Sequence, residues 1–133
     1  MTTQRQLQVM LWITVAVVML TGLPILVGGI NMITGVDGVN ATADSEMRFV
    51  MVFWIAYGGF IAWVARDLPQ RYQFVPAIGL LMLAGAGARI LSMLMAGRPD
   101  EMYVIGTILE ISIAGLILFS YWQYQRQIVR STT

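Results

Sequence analysis

The chain has 133 residues, of which 58% are hydrophobic and only 11% are charged, and its mean hydropathy is +0.74. This composition excludes an ordinary soluble domain and indicates a membrane protein. Eight arginines and seven acidic residues leave a net charge of +1, which excludes the basic field of a nucleic-acid-binding protein. The absence of cysteine and histidine excludes disulfides, imidazole metal sites and His-dependent nucleophilic catalysis.

Four apolar segments follow one another along the chain, at residues 7–30, 47–65, 74–96 and 102–122. Each is close to the roughly 20 residues that a helix needs to cross a bilayer. The continuous apolar runs lack the alternation of a membrane β-strand, and an open sheet leaves unsatisfied edges in lipid. The first run is too long for a signal-peptide core, so we interpret it as retained. The sequence predicts an all-α integral membrane protein, an antiparallel four-helix bundle that forms one domain over residues 1–133.

The longest connection, NMITGVDGVNATADSE, joins the first two segments. Its Gly, Asn and Asp content predicts turns, and we expect the N-cap of the next helix at Asp44 or Ser45. Glu46 and Arg48 open that helix, where an acidic residue suits the positive helix end and an arginine does not. Arg48 therefore needs an anion, which could be Glu46, Asp44, Glu110 or a ligand.

The third segment has an arginine near its centre, in AGAGARILSML. Arg89 lies about seven residues inside the outer end, or roughly 10 Å deep, and Glu110 lies at a similar depth on the fourth segment. The short connection AGRPDE makes these two helices antiparallel neighbours. A lone charge at mid-bilayer costs about 3 kcal/mol on insertion scales. We therefore expect Arg89 to face Glu110 or a wet cavity rather than lipid.

Small residues recur at every fourth position on both of these segments, and such rows allow close helix packing in membranes. This spacing predicts that the third and fourth helices pack along the two rows. The Arg89 side chain is then expected beside this close contact. The rows are Ala84, Ala88, Ser92 and Ala96 on the third segment, and Gly106, Glu110 and Ala114 on the fourth.

The arginines are distributed unequally between the two sides of the membrane. The positive-inside rule places the arginine-rich side in the cytoplasm, and with four spans both termini lie there. We therefore predict a multi-pass protein of the bacterial inner membrane with cytoplasmic termini. The cytoplasmic set is Arg5, Arg66, Arg71, Arg126 and Arg130, and the outer set is Arg48 and Arg98 with Asp37, Asp44, Glu46, Asp100 and Glu101.

Several short motifs resemble those of a known family. EMRF opens the second segment, ARDLP closes it, GARILS lies in the third, GRP follows, and LEIS lies in the fourth. Together with four spans, this pattern resembles a family of small bacterial inner-membrane proteins known only as a domain of unknown function. The resemblance covers most of the chain from about Gly22 onward. It implies the fold and the importance of Glu46, Arg48, Arg89 and Glu110, and it implies no activity.

Two interpretations of the charged residues remain open. They could form a satisfied ion network that fixes helix register, or they could line a polar pocket that opens on the outer side. The predicted polar set is Glu46, Arg48, Arg89, Glu110 and Ser92, without a catalytic group, a metal or a cofactor.

Three classes of function follow from these interpretations. The first is a non-enzymatic bundle that binds a small amphiphile or lipid-like ligand through its Arg/Glu pocket. The second is an accessory or stabilising subunit of a larger membrane complex, and the same small-residue rows could also serve a homo-oligomer. The third, a quinone-linked or proton-relay enzyme or a transporter, is the least favoured. A general base needs a positioned partner group, and the sequence shows no inverted repeat.

Overall fold

The computed structural model describes residues 3–33, 35, 36, 38 and 40–131. Asp37, which the orientation argument counts on the outer side, lies outside the described residues, as does the side chain of Arg130. Five α-helices and two short 3₁₀ turns, Ile30–Met32 and Tyr72–Phe74, make up the described chain. The helices are α1 Thr3–Gly28, α2 Ala41–Arg66, α3 Leu68–Arg71, α4 Val75–Ala96 and α5 Glu101–Ser131.

Four stretches of helix are long and apolar enough to cross a membrane. The described residues contain no strand. The predicted fold class, all-α with four long apolar helices, is therefore confirmed, and the chain is a multi-pass membrane protein. The four stretches are Thr3–Gly28, Ala41–Arg66, Leu68–Ala96 and Glu101–Val129.

The start of α2 and the end of α5 differ most from the predicted boundaries. The N-cap of α2 is Asn40 rather than Asp44 or Ser45, because the Asn40 Oδ1 accepts a hydrogen bond from the Thr42 N–H at 2.9 Å. The first turn of α2 is polar, so an apolar pattern does not reveal it. At the other end of the chain, α5 continues to Ser131 because the sequence after the apolar segment contains no glycine or proline to end it.

The chain forms two compact units, one of residues Trp12–Trp63 and one of Met1–Leu11 with Val64–Thr133. In the first unit α1 and α2 approach closely where α2 has Gly58. A Cβ at that position would lie 2.8 Å from both Met19 Cε and Val18 Cγ1. The Trp54 Nε1 also donates a hydrogen bond to the Thr21 Oγ1 at 3.0 Å. Glycine therefore sets the helix separation in this unit.

In the second unit α4 and α5 form an antiparallel hairpin. The face of α4 that packs is Val75, Ile78, Gly79, Met82 and Ala86, all buried. These positions follow the three- and four-residue spacing of one helix face. A Cβ at Gly79 would lie 2.6 Å from the Leu118 Cγ on α5, so this glycine allows the close approach.

The predicted packing along the small row of α4 is wrong. Ala84, Ala88, Ser92 and Ala96 are all exposed, whereas on α5 Ala114 is buried. The larger apolar side chains of the Val75–Ala86 face make more van der Waals contacts with a neighbouring helix than a row of alanines does. Because α4 is apolar on nearly every side, its periodicity does not show which face packs.

Candidate functional site

The structure brings Arg89 on α4 together with Glu110 on α5. The Arg89 Nε lies 3.2 Å from the Glu110 Oε2. The Tyr103 ring, two turns before Glu110 on α5, lies near the same guanidinium, with its centroid 6.0 Å from the Arg89 Cζ. Two charged groups and one aromatic ring therefore meet in the half of the hairpin nearer to the α4–α5 connection.

Helical spacing explains why these side chains meet. Arg89 follows buried Ala86 by one helical turn, and Glu110 lies between buried Thr107 and buried Ala114. Both charged residues therefore continue the face through which α4 and α5 pack. The antiparallel arrangement, held by a short connection, then places them opposite each other.

The ion pair is not enclosed. The side chain of Arg89 is 40% exposed, whereas that of Glu110 is 18% exposed. Gly85 and Ser92, neighbours of Arg89 on the helix surface, are exposed, and a Cβ at Gly85 would meet nothing within 4 Å. The Glu110 side chain is thus mostly covered, while part of the Arg89 side chain remains accessible beside a strip of small residues.

Arg48 occupies a different environment, at the junction of α1 and α2. Its Nε donates to the Asp44 Oδ2 at 2.8 Å, and its Nη1 donates to the carbonyl oxygens of Leu26 at 2.7 Å and Val27 at 3.0 Å. These carbonyls belong to the last turn of α1, where backbone acceptors have no partner within the helix. Arg48 therefore caps α1, and a cation is favourable at that end of a helix.

Gly29 is required beside this cap. Its φ of 76° is in the left-handed region, and an added Cβ would collide with the Asp44 carboxylate and the Arg48 guanidinium. The Asp44 Oδ1 also accepts a hydrogen bond from the Ile30 N–H at 2.7 Å. One carboxylate thus holds both the arginine and the backbone that follows α1.

Sequence reasoning named Asp44 among several possible anions for Arg48 but missed the carbonyl groups of α1. The signal available was Gly28-Gly29 at the end of an apolar run, since a helix that ends in glycine leaves carbonyls to be capped. Glu46 and Ser92 are both exposed. Arg48 and Arg89 belong to different units. That these two arginines share one polar site with Glu46, Glu110 and Ser92 therefore stays a prediction.

The chain is thus a small multi-pass membrane protein with four long apolar helices. The hairpin of α4 and α5 contains a polar site, the Arg89–Glu110 pair, in which the arginine side chain is partly exposed. The chain matches the model of the family described as "Domain of unknown function (DUF4345)" over residues 6–121, and it belongs to that family. The match begins before Gly22, where the motif resemblance began. No curated protein and no solved structure matches the chain.

Proposed function

We propose that the protein is a non-enzymatic protein of the bacterial inner membrane that binds an anionic amphiphile, such as a lipid, at Arg89. Both termini lie in the cytoplasm, and the Arg89–Glu110 pair lies in the outer half of the bundle. The observation that carries the proposal is the partial exposure of the pair, in which the Arg89 side chain is 40% exposed beside a Glu110 side chain that is 18% exposed.

The chemistry of arginine supports an anionic ligand. A guanidinium has five N–H donors in one plane and binds carboxylate or phosphate through two parallel hydrogen bonds. The Glu110 carboxylate lies at the Nε of Arg89 and orients the plane of the guanidinium. The exposed part of the Arg89 side chain is accessible to an anion. A general base needs a positioned reacting partner, whereas Glu110 is engaged by a cation, so binding is favoured over catalysis.

The surroundings of Arg89 suit the apolar part of such a ligand. Gly85, Ala88 and Ser92 form an exposed strip of small side chains next to the guanidinium. An acyl chain can lie close to the helix backbone along such a strip.

A second candidate function is that of an accessory subunit in a larger membrane complex. The observation that favours it is the exposed small-residue row of α4, which consists of Ala84, Ala88, Ser92 and Ala96. Such rows pack against helices of other chains. The two functions differ in what purifies with the protein. Ligand binding gives a bound small molecule, whereas a subunit gives a second polypeptide in fixed ratio.

Native mass spectrometry of the protein extracted in a gentle detergent tests the proposal. We expect Arg89→Lys to carry one bound species of lipid-like mass fewer than the wild type, because a point charge does not reproduce the planar fork. The matched control is Arg98→Lys, since Arg98 is exposed and pairs with Glu101 at 3.6 Å near the same end of the hairpin. Equal occupancy in all three proteins would contradict the proposal.

A further inference from the structure

We propose a second ligand site, for the phosphate-diester headgroup of a membrane lipid, at the opposite end of α5 from the connection to α4. An open surface cavity of about 340 Å³ there is lined by Trp122, Gln123, Arg126 and Gln127 of α5, three of which are exposed. These residues lie on consecutive turns of one side of the helix. The site shares no residue with the Arg89–Glu110 pair, and the inference does not depend on the function proposed above.

The guanidinium of Arg126 lies over the ring of Trp122 in this cavity. The Arg126 Cζ lies 3.4 Å from the centre of the Trp122 ring, which is the contact distance of two parallel planar groups. A guanidinium stacked in this way keeps its N–H donors in its own plane, directed sideways and available to an anion. Within the part of the chain that the structure describes, no carboxylate pairs with Arg126.

The two glutamines add polar groups at the side of the guanidinium. The Gln127 Nε2 donates a hydrogen bond to the Thr3 Oγ1 of α1 at 2.9 Å, which fixes the orientation of that amide. Gln123 lies one turn earlier on the same side of α5. The cavity therefore combines a preoriented cation with amides, the groups that bind phosphate oxygens.

The gradient of polarity along α5 indicates a lipid rather than free phosphate. Toward the middle of the helix Trp122 is followed by Phe119, with 6.2 Å between ring centroids, and both rings are about half exposed. A ligand with its phosphate at Arg126 would place its glycerol and the start of its acyl chains on these rings. Aromatic residues at membrane interfaces contact lipids in this way.

The test measures binding of phosphatidylglycerol to the full-length protein in detergent by native mass spectrometry. Relative to wild type, we expect Arg126→Lys to weaken binding about fivefold or more, because lysine keeps the charge but loses the stack and the fork. Trp122→Leu should weaken it similarly. The matched control is Arg66→Lys, which makes the same exchange at an exposed arginine outside the cavity and should bind like wild type.

Three outcomes would overturn the inference. The first is unchanged affinity in Arg126→Lys, and the second is an equal loss in Arg66→Lys, which would indicate attraction by bulk charge. The third is full competition by millimolar inorganic phosphate, which would show that the anion alone is recognised. Circular dichroism reports folding of each variant. If Trp122→Leu does not fold, the comparison of the two lysine variants still decides the question.

Discussion

At the scale of single residues, two arginines in apolar helices are accommodated in different ways. Arg48 donates to Asp44 and to the last carbonyl groups of α1, so its partners are parts of the fold. Arg89 lies in the interior of α4 and meets the carboxylate of Glu110. The side chains of Arg48 and Arg89 are equally exposed, at 40%, so the two arginines differ in their partners and not in their accessibility. This difference is why we assign a structural role to Arg48 and a binding role to Arg89.

The cap of α1 leads to a prediction for Gly29. Gly29→Ala should lower the free energy of unfolding by about 2 kcal/mol, because alanine is strained at positive φ and its Cβ would displace the Asp44–Arg48 pair. Gly38→Ala is the matched control, since Gly38 has a φ of 84° and open space around it. Denaturation in detergent should show the larger loss for Gly29→Ala, and equal losses would mean that the cap contributes nothing.

The Arg89–Glu110 pair leads to a second prediction at this scale. Arg89→Met alone and Glu110→Gln alone should each destabilise the protein by about 1–3 kcal/mol, because each leaves one charge without its partner. The double variant should be more stable than the sum of the two losses implies. A double-mutant cycle of thermal stability in detergent measures this coupling, and additive losses would exclude the pairing.

At the scale of helices, α1 and α2 cap each other. A polar side chain of each helix donates a hydrogen bond to a carbonyl group near the C-terminal end of the other. Arg48 of α2 donates to the end of α1, and the Gln8 Nε2 of α1 donates to the Ala65 carbonyl near the end of α2 at 2.8 Å. The last carbonyl groups of a helix have no partner within the helix. Such caps therefore allow the helices to end without unsatisfied backbone acceptors.

The sequence predicted the helices well and their packing faces poorly. Length and hydropathy located all four spans, because the bilayer requires about 20 apolar residues for each helix. Matching depth and a short connection placed Arg89 beside Glu110. The packing face of α4 was not predictable, because Ile78 and Met82 differ little in hydropathy from the exposed residues around the helix. The cap by Arg48 was missed because it depends on contacts between residues more than 20 positions apart.

The glycines of α4 provide a test of its packing face. Gly79→Ala should destabilise the hairpin, because its Cβ would lie 2.6 Å from the Leu118 Cγ. Gly85→Ala should be neutral or stabilise the protein by about 0.5–1 kcal/mol, since alanine favours helix and nothing lies within 4 Å. Thermal unfolding in detergent compares the two variants. The opposite order would show that α4 packs through its small row.

At the scale of the whole molecule, orientation in the membrane is a prediction from the arginine distribution. The chain has no native cysteine, so single cysteines report topology without background. Ala41→Cys, at the start of α2, should react with a membrane-impermeant reagent in intact cells. Gln125→Cys, near the end of α5, should react only after the inner membrane is opened, and the reverse pattern would invert the topology.

The most direct test of the central claim, that Arg89 and Glu110 form a ligand site, is the occupancy of the double variant Arg89→Met with Glu110→Gln. Native mass spectrometry would compare its bound species with those of the wild type under conditions in which circular dichroism and thermal unfolding show both proteins folded. Our account predicts that the double variant is folded and has lost one bound species of lipid-like mass relative to the wild type, because the guanidinium that holds the anion is gone. A lipid at the separate Arg126 site would remain. A double variant that is folded and carries every bound species found on the wild type would contradict the account and would indicate that the pair only fixes helix register.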